Sequence, residues 1–201
     1  MQQSEKKPEA YRSYLRKSLD NKIAAEVEQV IPCYSLLNDQ SNQALHLNAE
    51  IYGRSSYKYD EPMKLKHVKS TKLKTSSTNS KENQDSKVAP QYITTQGDAK
   101  YMNAVIENKT LFENLNHQYN ADLFLLINQF EIKTNYNNCI YISRHVYKRE
   151  VIISYSIYDV KGKQVDGNIA HAFFPSDSNR TPDVAESVFP DFACFFAPTF
   201  K

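Results

Sequence analysis

The chain contains no tryptophan and only four glycines among its 201 residues. The glycines are Gly53, Gly97, Gly162 and Gly167, and none of them stands in the close spacing of a phosphate-binding loop. Such a loop needs clustered glycines, because side chains would keep the backbone away from the phosphate. A glycine-rich nucleotide-binding loop is therefore excluded.

Cysteine is scarce as well, with Cys33, Cys139 and Cys194 far apart along the chain. None of them stands in a C-x-x-C pair, which argues against a zinc ribbon and a thioredoxin-like redox site. An odd number fits poorly with a disulfide scaffold, although one bridge with one free thiol stays open. Because Cys194 lies in the apolar segment 192–196, we expect it to be a buried and unreactive thiol.

Long apolar runs are missing too, since no stretch reaches the roughly 18 residues that a bilayer-spanning helix needs. Residues 1–8 are too polar for a secretory signal. Met1 is therefore either a native cytosolic start or stands in place of a removed export signal. The 25 basic and 23 acidic residues leave a net charge of +2. This balance gives no overall attraction toward nucleic acid or an anionic membrane.

Signatures of metal binding and catalysis are also absent. The five histidines show no H-E-x-x-H or H-x-H spacing and no pairing with cysteine, so we expect no metal and no cofactor. No G-x-S-x-G segment occurs, and no local signature marks a nucleophilic cysteine. We interpret Glu131, Glu150, Asp159 and Asp166 as exposed partners in a salt-bridged sheet face. Two carboxylates that meet in a cleft remain the alternative.

Three strand-like runs occupy the second half of the chain, over residues 121–132, 150–159 and 164–173. The first run is apolar on both faces over 123–127, which indicates a strand covered on both sides. A shorter run over 139–142 resumes the strand character. A turn at 159–163, with Gly162 available for a positive φ, predicts a hairpin between the last two runs. We expect Gly167 to mark a bulge.

Helical patterns flank these runs. Residues 8–29 repeat an apolar side chain at every fourth position from Tyr11 to Val27, which predicts an amphipathic helix. A second helix is predicted over 98–119, and a third begins at Thr181 with a kink or break at Pro190. Residues 45–52 alternate apolar and polar side chains, which predicts a strand.

This order of elements predicts a fold of the α+β class. A helix between the strands at 45–52 and 121–132 implies a right-handed crossover, with those two strands parallel. The later strands add through hairpins, giving a mixed sheet of about four to five strands packed by about two to three helices. We expect a single domain over 1–201, with an N-terminal helical segment over 1–40 and a long polar loop over 64–97.

The loop is rich in Lys, Ser, Thr, Asn and Gln and poor in apolar residues. Such a composition offers too little apolar surface to offset the entropy of ordering. An alternative role for 64–87 is a basic arm that contacts an anionic polymer. Glu82 and Asp85 interrupt this arm, and no aromatic side chains interleave for base stacking. We therefore expect no nucleic acid partner.

The densest cluster of Tyr, Arg and Lys in the chain falls near a predicted hairpin end. It consists of Tyr141, Arg144, His145, Tyr147, Lys148 and Arg149. These residue types dominate binding hot spots, so we take Tyr141, Arg144, His145, Tyr147 and Arg149 as candidate partner-binding residues. The alternative is a solvated strand end opposite acidic neighbours.

From Tyr119 onward the sequence resembles bacterial cell-envelope lipoproteins of poorly known role. The resemblance rests on N-A-D-L-F-L-L-I-N at 120–128, Y-D-V-K-G-K-Q-V at 158–165 and a C-terminal amphipathic helix. It implies the anticodon-binding-domain-like fold that the N-terminal domain of TolB and lipoprotein activators of penicillin-binding proteins also use. The N-terminal half, with its long polar loop, departs from this pattern.

The same resemblance implies an exported protein, periplasmic or anchored at the outer membrane through a trimmed lipid, with a binding role and no catalysis. We therefore expect a non-enzymatic cell-envelope module that binds a protein or a cell-wall or surface component. One alternative is an enzyme acting on a small envelope-derived substrate in a cleft that the long loop forms beside the sheet. Another is a cytosolic protein that binds nucleic acid through residues 64–87.

Overall fold

The computed structural model describes residues 6–63, 100–108, 110–178 and 180–196. Within these ranges the elements are α1 (Lys6–Val27), α2 (Asn42–Gly53), β1 (Ser55–Asp60), β2 (Tyr101–Ile106), α3 (Thr110–Tyr119), β3 (Leu123–Tyr141), a 3₁₀ turn (Ile142–Arg144), β4 (Val146–Asp159), β5 (Gln164–Pro175) and α4 (Thr181–Phe196). The protein is therefore of the α+β class, as predicted. The loop expected over 64–97 lies outside the described residues.

The described strands form two antiparallel sheets. β3, β4 and β5 make a three-stranded sheet in that order, and β1 and β2 make a two-stranded ribbon. The ribbon pairs Ser55 with Ile106 at one end and Asp60 with Tyr101 at the other. No two strands run parallel within the described ranges, so the predicted crossover is not formed by these residues.

The three strands that the apolar runs predicted are all present. β3 continues past Ile132 to Tyr141 and takes in all of the short run predicted at 139–142 except Ile142, which begins the 3₁₀ turn. The turn between β4 and β5 is also confirmed. The Asp159 Oδ1 atom accepts hydrogen bonds from the backbone N–H groups of Lys161 and Lys163, at 2.9 and 2.8 Å, and Gly162 has a φ of 71°. An acidic side chain that bonds to the following backbone, together with glycine, is what a tight turn needs.

One face of the three-stranded sheet is apolar and lies under α1 and α4. The fourfold repeat of α1 is buried there from Leu15 to Val27, whereas Tyr11 is exposed. α4 continues through Pro190 to Phe196, so the helix does not break at the proline. Phe189, Phe192 and Phe196 are fully buried. Their burial offsets the roughly 3 kcal/mol that a proline costs inside a helix.

The opposite face lies under α3 and the β1–β2 ribbon, and its contacts with the ribbon include buried polar pairs beside small apolar clusters. Asn103 of β2 is only 2% exposed. Its Nδ2 atom donates to Asp60 Oδ2 at 2.7 Å and to Gln164 Oε1 at 2.9 Å, and its Oδ1 atom accepts from Ser156 Oγ at 2.7 Å. The ribbon is thus fastened to the sheet by a buried side chain whose polar atoms are all paired.

The strand predicted over 45–52 is wrong, because these residues belong to α2. Ser41 caps this helix, since its Oγ atom accepts from the backbone N–H of Ala44 at 3.1 Å. Ala44 and Ile51 are buried seven positions apart, which is helical spacing, while Leu45 is exposed. The alternation of apolar and polar residues therefore did not mark a buried strand face.

The helix predicted over 98–119 is half wrong. Its first part is β2, whose backbone pairs with β1 and whose Tyr101 and Asn103 are buried. Only the second part is helical, as α3. Asn108 precedes this helix, and its Oδ1 atom accepts from the backbone N–H of Thr110 at 3.1 Å. The strand depends on a partner more than forty residues earlier in the chain, which a helical pattern does not reveal.

Gly167 has a different role from the predicted one. The irregularity in β5 falls between Gln164 and Asp166, and Gly167 itself pairs regularly with Ser156. A side chain at Gly167 would clash with the ring of Tyr101 and the amide of Gln164. The glycine therefore allows β2 to approach the sheet closely.

Candidate functional site

The candidate partner-binding residues lie together at the end of the β3–β4 hairpin, residues 133–149, which we call the hairpin end. β5 pairs with β4 only as far as Lys148, opposite Pro175, so the hairpin is two-stranded beyond that point. Ser176 fastens the base of this projection. Tyr147 N–H donates to Ser176 Oγ at 2.9 Å, and Ser176 N–H donates back to the Tyr147 carbonyl oxygen at 2.8 Å.

The β3 side of the hairpin end is irregular. Asn135 pairs with Lys148, but the next paired residue of β3 is Cys139, opposite Tyr147, so residues 136–138 bulge outward. Asn135 Oδ1 accepts from the backbone N–H of Asn137 at 3.0 Å and supports this bulge. The 3₁₀ turn then closes the hairpin, with His145 in a left-handed conformation at a φ of 53°.

Aromatic and basic side chains pair on this scaffold. The Arg144 guanidinium lies over the Tyr141 ring at 4.7 Å from its centroid. The rings of Tyr136 and Tyr147 meet edge to face, with centroids 5.3 Å apart. Cation–π and aromatic contacts of this kind hold the side chains in defined orientations.

The structure thus brings all five predicted residues together, although they do different things. Tyr141, Arg144 and Tyr147 take part in the ring contacts, and His145 forms the turn. Arg149 lies at the base, where its Nε atom donates to Thr134 Oγ1 at 3.2 Å. The exposed surface of the hairpin end is therefore formed more by residues 136–147, which we call the tip, than by Arg149.

Three exposed residues of the hairpin end were missed by the sequence analysis. Tyr136 is 73% exposed, Ile142 is 81% exposed and Ile140 is 41% exposed. Ile140 and Ile142 lie in the short run at 139–142 that was predicted as a strand, and Tyr136 was not singled out. The signal that could have identified them is charge: residues 133–149 contain four Lys or Arg and no Asp or Glu.

The four carboxylates considered as a catalytic alternative do not meet. Glu131 pairs with Lys133 at 3.2 Å on the surface, and Asp159 forms the turn described above. Glu150 Oε1 lies 2.6 Å from Nδ1 of the buried His171. Glu131 is thus a salt-bridged surface residue as expected, whereas Glu150 pairs with a buried histidine and Asp159 supports a turn.

Asp166 is the exception, because it is buried rather than exposed. Its Oδ2 atom accepts from the Tyr155 hydroxyl at 3.1 Å, and its Oδ1 atom accepts from the backbone N–H of Gly167 at 2.8 Å. Burial raises the pKa of the Asp166 carboxyl, while these two hydrogen bonds lower it. The same burial, with the negative charge of Asp166 beside it, raises the pKa of Tyr155.

The described residues hold no group of three or more His, Cys, Asp or Glu side chains arranged to bind a metal. Among their helices, none is long and apolar enough to cross a bilayer. Cys33 and Cys139 are free thiols, each half-buried. The side chain of Cys194 lies outside the described residues.

A second feature is a cavity of about 620 Å³ beside β3. β3 is an edge strand of its sheet, and the cavity lies along that edge. Its walls come from α1, the segment 31–37, α2, α3 and the first half of β3. The cleft predicted beside the sheet was expected to be formed by the long loop, which lies outside the described residues, so that prediction is not tested by these walls.

Asp20 and Cys33 line this cavity on the α1 side, and both have pKa values above their ordinary ones. Burial raises the pKa of Asp20, while a hydrogen bond from the Ser35 hydroxyl lowers it. Burial also raises the pKa of the Cys33 thiol, and the nearby carboxylates of Asp20 and Glu28 raise it further. Burial and the neighbouring carboxylates therefore favour the uncharged thiol of Cys33, whereas at Asp20 burial and the hydrogen bond from Ser35 act in opposite directions.

No family model matches the chain, and no curated protein and no solved structure matches it either.

Proposed function

We propose that the protein is a non-enzymatic binding module whose hairpin end docks against an acidic surface of a partner protein. The observation that carries this proposal is the exposure of Tyr136 and Ile142, at 73% and 81%, within a segment that has basic side chains and no acidic ones. An exposed apolar tip with a basic surround fits a partner surface that is apolar at its centre and acidic at its rim.

The energetics of such a contact are favourable. Burying an isoleucine that is exposed in the free protein contributes about 1.5–3 kcal/mol, and Tyr and Arg are the residue types that most often dominate interfaces. Arg144 is already held over Tyr141, and Tyr136 against Tyr147. Side chains that are ordered before binding lose less entropy when the partner arrives.

The cell-envelope location is part of this proposal, and it is supported by the resemblance of residues 120–128 and 158–165 to envelope lipoproteins. The partner is then an envelope protein. The native protein should separate with the envelope fraction when cells are broken and fractionated. Recovery in the cytosolic fraction alone would contradict the cell-envelope location. The docking role of the hairpin end would then be tested separately.

The decisive experiment compares three forms of the full chain as bait for cross-linking in envelope extracts. We expect a partner to be captured by the wild type and lost, by about tenfold or more, with Ile142→Asp. Val165→Asp is the matched control, since Val165 is also an exposed apolar residue, at 43%, but lies at the opposite end of the sheet.

Capture that is equal for both variants would refute the hairpin end as the docking surface. Binding of the wild type to anionic phospholipid vesicles, with loss in Ile142→Asp, would also refute the proposal, because the tip would then be a membrane contact. Both variants change an exposed side chain, so each should alter the free energy of unfolding by less than about 0.5 kcal/mol.

The enzymatic alternative gains one observation from the cavity beside β3, but the chemistry there does not favour it. A nucleophilic cysteine needs a lowered thiol pKa, whereas the pKa of Cys33 is raised by burial and by neighbouring carboxylates. The cavity is better suited to holding a molecule than to transforming it.

A further inference from the structure

We propose that the cavity beside β3 binds a small apolar molecule that carries one hydrogen-bond-donating head group, such as a long-chain alcohol or amine. This site is separate from the hairpin end and goes beyond the proposed docking function. The cavity volume of about 620 Å³ falls within the roughly 300–1,000 Å³ that is typical of ligand pockets.

The walls of the cavity are predominantly apolar. They include Leu19, Ile23, Leu36, Ile51, Leu115 and Leu126. These side chains come from different elements, so an apolar ligand between them would be surrounded by protein rather than laid on a flat surface. Removing a hydrocarbon chain from water in this way supplies the main driving force.

The wall formed by residues 31–37 is fixed in place. The ring of Tyr34 stacks on that of Tyr119 of α3, with centroids 4.5 Å apart, and the Tyr34 hydroxyl bonds to Asp39. On the other side, Asn48 Nδ2 of α2 donates to the Leu36 carbonyl oxygen at 2.9 Å. The cavity is thus formed before a ligand enters, which lowers the entropic cost of binding.

Asp20 defines the head group. Its Oδ2 atom accepts from the Ser35 hydroxyl, and within the described part of the chain this is its only hydrogen-bond partner. A carboxylate accepts several hydrogen bonds and donates none when ionised. Among the described residues, Oδ1 is therefore an unpaired acceptor in a predominantly apolar lining, and a hydroxyl or an amine can donate to it.

A carboxylate head group is disfavoured at this point because its charge would be repelled by Asp20. Arg16 also lines the cavity, one helical turn before Asp20, but it is exposed, whereas Asp20 is half-buried. Water and salt screen an exposed charge more strongly than a buried one. Asp20 therefore outweighs Arg16 in selecting the head group.

The first test measures binding of N-phenyl-1-naphthylamine, a fluorescent apolar amine, to the full chain. We expect saturable binding with one site per chain. Decylamine, 1-decanol and decanoate, which share one chain length, then compete with the probe. We expect the amine and the alcohol to displace it at concentrations about tenfold lower than decanoate. A lack of saturable binding, or displacement by decanoate at equal or lower concentrations, would overturn the proposal.

The second test places the ligand in this cavity. Ala24 lines the cavity, whereas its neighbour Ala25 is exposed and does not. Ala24→Phe should weaken probe binding by about tenfold or more because the ring fills the space, and Ala25→Phe should leave it unchanged. Equal binding by both variants, with helical content intact by circular dichroism, would show that the probe binds elsewhere.

A third variant covers the case in which Ala24→Phe does not fold. Asp20→Asn keeps the size of the side chain and its contact with Ser35 but removes the charge. Probe binding should persist, while the preference for decylamine over decanoate should fall from about tenfold to about twofold or less. An unchanged preference would show that Asp20 does not contact the head group and would overturn the assigned ligand class.

Discussion

The two faces of the β3–β4–β5 sheet are built from different interactions. On the face under α1 and α4, Val151 and Ile153 pack with Phe189 in one apolar cluster. On the face under the β1–β2 ribbon, the Ser154 hydroxyl accepts from the backbone N–H of Met102 at 3.2 Å, beside the contacts of Asn103 described above. The first face depends mainly on the area removed from water, whereas the second combines apolar contacts around Tyr101 and Phe112 with buried hydrogen bonds that each need a correctly placed donor and acceptor.

The difference predicts that the same sheet responds differently to mutation on its two sides. An apolar cluster loses stability in proportion to the volume removed. A polar contact region is sensitive to small displacements, because a hydrogen bond weakens steeply when its geometry is lost. The following changes test this contrast from the largest expected effect to the smallest.

Phe189→Ala should lower the free energy of unfolding by about 3–5 kcal/mol, because it opens a cavity in the apolar face. Phe189 is fully buried, and its ring meets Phe130 edge to face with centroids 6.0 Å apart. Urea denaturation measures the loss. Tyr11→Ala, at an exposed position of α1, serves as the control and should cost less than about 1 kcal/mol. Equal losses of stability in both variants would show that the apolar face is not the main source of stability.

Gly167→Ala should lower the free energy of unfolding by about 1–3 kcal/mol, because one added methyl group pushes β2 away from the sheet. The methyl group would meet the ring of Tyr101 and the amide of Gln164. Gly53→Ala is the matched control, since nothing lies within 4 Å of a side chain there. Gly53 ends α2, so this change should be neutral or stabilise by up to about 1 kcal/mol. A tolerated Gly167→Ala would show that the polar face adapts as readily as the apolar one.

The smallest effect concerns the pH dependence that Asp166 contributes. Burial holds its carboxyl pKa above the ordinary value of 3.8, so the folded state binds the proton more tightly than the unfolded chain does. The resulting stabilisation is fully present below the unfolded pKa and is lost as pH rises through the folded pKa. Asp166→Asn, which cannot ionise, should therefore compare more favourably with the wild type at pH 7 than at pH 4.

Chemical denaturation of both forms at the two pH values measures this difference. Asp177→Asn removes one negative charge from an exposed position and controls for the change in net charge. If the stability of Asp166→Asn relative to the wild type is instead lower at pH 7 than at pH 4, the hydrogen bonds to the carboxylate outweigh its burial.

The sequence by itself determined the features that depend on local periodicity and turn chemistry. The fourfold repeat of α1 specifies one buried face, the runs at 150–159 and 164–173 specify β4 and β5, and Asp159 with Gly162 specifies the turn between those strands. The α+β class follows from these elements. The clustering of the five candidate residues near a hairpin end also followed from the sequence, because Tyr and Arg are concentrated there.

Tertiary structure decided the features that depend on distant partners. Residues 45–52 have a pattern compatible with a strand, but Ala44 and Ile51 are buried at helical spacing. Residues 101–106 form a strand because residues 55–60 are there to pair with them. The exposure of Ile142 and the cavity beside β3 likewise depend on where other elements end. A local sequence pattern indicates which side chains will be buried. Which other element buries them is determined by contacts across the whole chain.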